Sequence, residues 1–354
     1  MSRLTRADLD ALPAYVPGRS VPGAIKLASN EVPFGPLPGV VEAVTEAVTG
    51  SNRYPDMGVV ALRETLAARL GVDVDRIATG CGSVALAEHL AKVTCKDGDE
   101  ILFSWRSFEA YPILTAVAGA TAVRVPNDAG HGHDLDAMAA AVSARTRMIF
   151  VCNPNNPTGT ALTRDALDRF LDAVGPDVLV VLDEAYREFV DDPAVPDGVA
   201  TYGDRPNVVV MRTFSKAWGL AGLRLGYLVA APEVAAAVRK VVTPFSSSGV
   251  AQAAGLAALA ADDEMRRRAA LVVSERARVA EALGKLLPDG VDVPPSQANF
   301  VWLPLGERTA AFAQACADAG VIVRAFHPEG VRVTIGTPEE NDTFLAAART
   351  ALTS

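Results

Sequence analysis

The chain has 354 residues, half of them hydrophobic and 21% charged, with a formal net charge of −9 and a pI near 5.1. At roughly 100–200 residues per domain this length predicts two domains with a large buried core. The acidic balance disfavours nonspecific binding to nucleic acid or anionic membranes. Residues 1–35 are rich in Pro and Gly and read as an extended arm, with Pro17, Gly18, Pro22 and Gly23 arguing against helix. The first 16 residues carry acids and no apolar core, so no signal peptide is expected. No stretch reaches the roughly 18 uncharged apolar residues of a membrane span, and a cytoplasmic protein is expected.

Helices are predicted at about 38–49 and 57–70. From 77 to 230 short β-branched runs alternate with amphipathic stretches. The runs are 76–81, 100–104, 121–126, 148–152, 178–183, 208–212 and 225–230; helices are predicted at 84–93, 135–142 and 164–174. Such alternation implies βαβ units and an α/β fold with a mostly parallel sheet covered on both faces. After about 245 the texture changes. A long Ala- and Arg-rich helix is predicted at 262–286, then a strand at 298–305, a helix at 308–319, strands at 321–326 and 330–336, and a last helix at 339–352. This describes a smaller α+β domain. The division expected is an arm at 1–35, a large domain at 36–245 and a small domain at 246–354.

Cys81, Cys95, Cys152 and Cys316 are scattered with no C-x-x-C pair, and His131 and His133 sit in a Gly-rich turn without a carboxylate motif. No metal site is expected. Chemistry is sought beyond the carboxyl ends of the strands, where open α/β sheets bind ligands. Four segments lie there. Gly80-Cys81-Gly82-Ser83 opens a helix and is either a tight turn or a phosphate cradle at a helix N-terminus. Asn153-Pro154-Asn155-Asn156-Pro157-Thr158-Gly159 is a rigid turn, either a connector or a source of an amide donor. Asp183-Glu184-Ala185-Tyr186 puts acids at a strand end, as a cap or in a site. Thr213-Phe214-Ser215-Lys216 with Arg224 eight positions on is either a solvated loop or a cluster of hydroxyls and guanidinium around one ammonium.

Taken together, the order Asn-Pro-x-Asn-Pro-Thr-Gly, Asp-x-x-Tyr, Ser-Lys-(x)7-Arg resembles the fold-type-I aminotransferases, which depend on pyridoxal 5'-phosphate. Within them the chain is similar to the histidinol-phosphate aminotransferase family over nearly its whole length, through Lys26-Leu27-Ala28-Ser29-Asn30-Glu31, Asn52-Arg53-Tyr54-Pro55-Asp56, Arg332-Val333-Thr334-Ile335-Gly336 and Pro338-Glu339-Glu340-Asn341. The segments 105–109 (Trp-Arg-Ser-Phe-Glu) and 296–306 resemble the actinobacterial aromatic (phenylalanine) aminotransferase branch.

The resemblance implies a seven-stranded large domain and these roles. Lys216 carries the cofactor and moves the proton from the substrate Cα, which needs a neutral amine; Arg224 is the nearby cation expected to lower its pKa. Asp183 meets the pyridine nitrogen. Asn156 and Tyr186 donate to the cofactor's phenolic oxygen, and Phe108 stacks on its ring. Gly82, Ser83, Thr213, Ser215 and Arg224 hold its phosphate, with Tyr54 reaching it from the neighbouring subunit of a homodimer. Arg332 grips the substrate carboxylate, Arg324 is a second candidate, and Asn30 and Tyr15 belong to the substrate site. Tyr15, Val32, Phe34 and Trp105 are candidates for an apolar wall. The substrates implied are an aromatic amino acid and 2-oxoglutarate, with histidinol phosphate as the alternative donor. A lyase on the same fold stays open, because the motifs that hold the cofactor do not report which Cα bond breaks.

Overall fold

The computed structural model describes Leu4, Thr5, Asp10, Leu12, residues 18–288 and residues 290–353. The candidate Tyr15 lies outside the described residues.

Eleven strands form two sheets among the described residues. They are β1 (Ile25–Leu27), β2 (Ile77–Gly80), β3 (Glu100–Trp105), β4 (Thr121–Pro126), β5 (Thr146–Cys152), β6 (Leu179–Asp183), β7 (Val208–Thr213), β8 (Gly226–Val229), β9 (Phe300–Leu303), β10 (Val321–Phe326) and β11 (Gly330–Thr334). The larger sheet runs β2-β8-β7-β6-β5-β3-β4 and contains all seven strand runs anticipated from the sequence. Its pairs are parallel except where β8 joins β2 and β7. β6 and β7 are apolar runs because helices cover both faces; Val180, Val181, Val209 and Val210 are at most 1% exposed. Local signals set the helices. Thr163 caps the helix Arg164–Val174 by accepting from Ala166 N, and that helix buries Leu167, Phe170 and Leu171 against the sheet. Pro232 opens Pro232–Val241, and Ser248 caps Gly249–Ala260.

The second sheet runs β1-β10-β11-β9. Here the structure differs from the extended-arm reading. Residues Ile25–Leu27 form an edge strand parallel to β10, with Ile25 opposite Val321. Three residues give too short a pattern to announce a strand, and partners almost 300 positions away supply its hydrogen bonds. β9 also starts later than expected, at Phe300; before it, Ala298 O accepts from Arg276 and Asn299 Nδ2 donates to Asn30 O. The helix Asp262–Gly284 links the two parts. Its buried Arg276 donates to Phe189 O and Ala298 O and pairs with Asp191 at 2.7 Å.

Candidate active site

A cavity of about 240 Å³ opens beyond the carboxyl ends of β5, β6 and β7 and is closed from the other side by β10 and β11. It gathers Asn30, Ser83, Phe108, Asn156, Asp183, Tyr186, Thr213, Ser215, Lys216, Arg224, Arg324 and Arg332 from distant parts of the chain.

Asp183 ends β6 and is 4% exposed. Its Oδ2 accepts from the Tyr111 hydroxyl at 2.8 Å, while Oδ1 has no hydrogen-bond partner among the described residues. Burial raises its pKa to about 6, against the lowering effects of the Tyr111 hydrogen bond, the Ala185 amide and Lys216. A buried carboxylate oxygen left open toward a cavity is complementary to a ligand N–H of positive character.

Lys216 stands in the loop after β7. Its Nζ donates to Ser29 O at 3.3 Å and lies 5.8 Å from the Tyr186 ring centroid. Its pKa is lowered to about 8, chiefly by burial and next by Arg332; Arg224 contributes less, and Glu31 and Asp183 oppose. Arg224 lowers it as expected, but burial and Arg332, which the sequence did not single out for this effect, contribute more. The loop is held rigidly: Gly219 N donates to Lys216 O, Leu220 N to Phe214 O, and Trp218 Nε1 to Glu188. Behind it, Glu184 takes both Nε and Nη2 of buried Arg212 on one oxygen and Gly198 N on the other.

Tyr186 is oriented by a relay. Thr334 Oγ1 donates to Asn30 Oδ1, and Asn30 Nδ2 donates to the Tyr186 hydroxyl oxygen at 2.9 Å. Because that oxygen already accepts, the phenolic proton is left to donate elsewhere. Asn30 has a φ of 57° and is fixed by Asn299 Nδ2 on its carbonyl. Arg332 Nη1 donates to Asn156 Oδ1 at 2.5 Å and Nη2 to Ala28 O at 2.7 Å. With its oxygen engaged, Asn156 has its amide N–H groups left for a ligand.

At the other end of the cavity, Ser83 occupies the first turn of the helix Gly82–Thr94. Arg224 Nη1 donates to Ser215 Oγ at 3.2 Å and to Ala221 O at 2.9 Å, and Ser215 N donates to Thr213 Oγ1. Gly82 has a φ of 80°, and a Cβ there would stand 2.4 Å from Arg224 Nη2. A Cβ on Gly226 would meet Ser83 N at 2.5 Å. These glycines let a helix N-terminus, a hydroxyl and a guanidinium converge, an arrangement suited to a phosphate dianion. Gly82 itself does not line the cavity; a side chain there would meet Arg224.

Three anticipated wall residues are elsewhere. Trp105 lies between two guanidinium groups, with Arg106 Cζ at 4.6 Å and Arg124 Cζ at 4.8 Å from its ring centroid. Phe34 packs under Arg268 at 5.5 Å, and Val32 packs on the core near Gly219. None of the three lines the cavity; in each case cation stacking or core contact satisfies the apolar surface. Tyr54 is also outside it, 82% exposed and stacked on Phe245 at 4.4 Å. Sequence reasoning missed Tyr111, which is stacked on Phe150 with rings 4.3 Å apart, and Glu109, which lines the cavity and pairs with Arg324 at 2.8 Å. An aromatic three residues after Phe108 was the only available signal for Tyr111. Among the described residues no cluster of His, Cys, Asp or Glu is placed to hold a metal ion, and no helix is long and apolar enough to cross a membrane.

A parallel-dominated sheet with a buried Asp at one strand end and a part-buried Lys after the next is the arrangement of the fold-type-I aminotransferase fold. The chain belongs to the family Aminotransferase class I and II, which matches residues 22–347. It is 59% identical to an aromatic amino acid aminotransferase of Rhodococcus jostii, over 98% of this chain and 96% of that one. It is 58% identical to an aromatic amino acid aminotransferase of Streptomyces coelicolor, over 96% and 95%. Among solved structures, a histidinol-phosphate aminotransferase from Sinorhizobium meliloti in complex with pyridoxal-5'-phosphate superimposes with a TM-score of 0.90 at 28% identity, covering 100% of this chain and 98% of that one.

Proposed function

We propose that the protein binds pyridoxal 5'-phosphate in this cavity and transfers the amino group of an aromatic amino acid to 2-oxoglutarate. The observation that carries the cofactor reading is the open Oδ1 of buried Asp183 in the same cavity as an amine whose pKa is lowered to about 8. The aromatic substrate is supported by the names of relatives 58–59% identical over nearly their full lengths.

When bound, the cofactor supplies an electron sink for the charge that develops at the substrate Cα. The chain's residues do the rest. Asp183 Oδ1 accepts the pyridine N–H and keeps that nitrogen protonated. Tyr186 Oη and the Asn156 amide donate to the phenolic oxygen. Phe108 packs against the ring. Ser83 N, Ser215 Oγ and Arg224 hold the phosphate, and Thr213 fixes Ser215. The Lys216 amine is neutral in a useful fraction near pH 7–8 because burial and Arg332 disfavour its charge, so once free it could take up and hold the substrate Cα proton. Arg332 presents a planar donor pair to the substrate carboxylate.

The exposed Tyr54–Phe245 pair fits a surface that a second subunit covers, with Tyr54 completing the neighbour's phosphate site in a cytoplasmic homodimer. Mixing inactive Tyr54→Phe and Lys216→Ala proteins should then restore some activity through hybrid dimers. If confirmed subunit exchange brings no recovery, Tyr54 serves its own chain.

The direct test is spectroscopic. Purified protein supplied with pyridoxal 5'-phosphate should turn yellow, lose that absorbance with phenylalanine and regain it with 2-oxoglutarate. A protein that stays colourless with added cofactor contradicts the reading.

A further inference from the structure

Tyr111 is fully buried in the first turn of the helix Ala110–Val117. Three phenylalanine rings fix its own. It stacks on Phe150 of β5 with centroids 4.3 Å apart and planes 4° from parallel. It meets Phe103 of β3 at 5.7 Å and lies perpendicular to Phe108 at 5.5 Å. A ring packed on three sides cannot swing, so the direction of its hydroxyl is set. That hydroxyl donates to Asp183 Oδ2 at 2.8 Å. A phenyl ring would pack equally well against these neighbours, so packing alone does not account for the hydroxyl.

The pair has a defined polarity. An ionised carboxylate only accepts, so the phenol is the donor. It keeps its proton because burial and the neighbouring Asp183 push its pKa well above the ordinary tyrosine value. For Asp183 burial disfavours the charge, and the Tyr111 hydrogen bond is the largest of the effects that oppose burial. Asp183 Oδ1 has no partner among the described residues, and Asp183 lines the cavity whereas Tyr111 does not. Tying Oδ2 stops rotation of the carboxyl group and leaves Oδ1 to the cavity.

We propose that Tyr111 is the positioning residue of Asp183: its hydroxyl holds Asp183 as a carboxylate and keeps Oδ1 turned to the cavity, where that oxygen accepts from the ring nitrogen of the cofactor. The proposal deepens the cofactor reading above and rests on it. Without the hydroxyl, Oδ2 would be unpaired in an apolar site. The neutral acid would then be favoured, and the proton shared with the ring nitrogen would move to Asp183.

The test uses Tyr111→Phe, which keeps the ring and removes only the donor. In holoenzyme loaded with cofactor carrying ¹⁵N in its ring, the nitrogen resonance should move from the protonated toward the unprotonated position. In cofactor-free protein with ¹³C-labelled aspartate, the Asp183 titration, now near pH 6, should move upward. With phenylalanine, kcat should fall at least about tenfold while KM changes less than about threefold. In the Asp183→Asn background the same substitution should cost less than about twofold more, because there is no carboxylate left to hold. Unmoved ¹⁵N and Asp183 signals in folded Tyr111→Phe overturn the proposal, as does an equal loss of kcat in both backgrounds, which marks a purely structural role. If Tyr111→Phe does not fold, 3-fluorotyrosine placed at position 111, a stronger donor of nearly the same size, decides. It should move the Asp183 titration downward, and an unmoved titration counts against the proposal. A wild type that takes up no cofactor overturns the cofactor reading instead, and the Asp183 titration still reads the role of Tyr111.

Discussion

The two ends of the cavity are built differently. The inner end, with Ser83, Asp183, Ser215, Lys216 and Arg224, stands on the ends of adjacent strands in the larger sheet and on a helix N-terminus, and hydrogen bonds hold the side chains of Asp183, Ser215, Lys216 and Arg224. The outer end, with Arg324 and Arg332, comes from the second sheet and meets the first through side-chain pairs, Arg324 with Glu109 and Arg332 with Asn156. A rigid inner end suits chemistry common to a whole family, whereas a boundary closed by side chains alone can be altered by single substitutions. Loss of chemistry and change of substrate should therefore map to different sheets.

Variants sharpen or break that division. The largest effect is expected at Lys216. Lys216→Ala removes both the covalent anchor and the group that moves the Cα proton, and should lower turnover by at least about 10⁴-fold with every amino donor; steady-state rates with phenylalanine check it, and a residual rate within 100-fold of wild type would reassign the base. Next is Asp183→Asn. The cofactor should still bind through Arg224 and the helix N-terminus, but kcat should fall about 10²–10³-fold because an amide does not hold the ring nitrogen protonated. Near-normal turnover with bound cofactor would show that Asp183 is misassigned.

Arg332→Ala tests whether the outer end also reaches inward. It should cost about 100-fold in kcat/KM through the lost two-point contact, a value in line with one charged hydrogen-bonded pair. It should also move the Lys216 titration. The positive charge of Arg332 disfavours protonated Lys216, so removing it raises a pKa that is now about 8 toward the ordinary lysine value. The rate at which cofactor-free protein takes up pyridoxal 5'-phosphate follows the neutral amine. It should rise through about pH 8 in the wild type and at higher pH in the variant. Coincident profiles would mean that Arg332 does not help to set the Lys216 pKa.

The inner end was legible because its residues sit in short motifs directly after strands, and strand order brings those motifs together without further information. The seven runs of the larger sheet were legible as β-branched stretches bounded by turns, and all but the edge strand β4 are largely buried. What escaped depends on long-range partners. Tyr111 matters through Asp183, 72 positions away, and Glu109 through Arg324, 215 positions away. β1 is three residues whose pairing partner lies near the far end of the chain. Trp105 was misplaced because a large apolar side chain near a strand end suggests a pocket wall, yet Arg106 and Arg124 cover its faces.

An aromatic amino acid, rather than histidinol phosphate, is the proposed amino donor. The most direct measurement is kcat/KM of the wild-type holoenzyme for phenylalanine and for histidinol phosphate, each with 2-oxoglutarate. Phenylalanine should be preferred by at least about tenfold, equal to about 1.4 kcal/mol in transition-state binding. A preference for histidinol phosphate would contradict it.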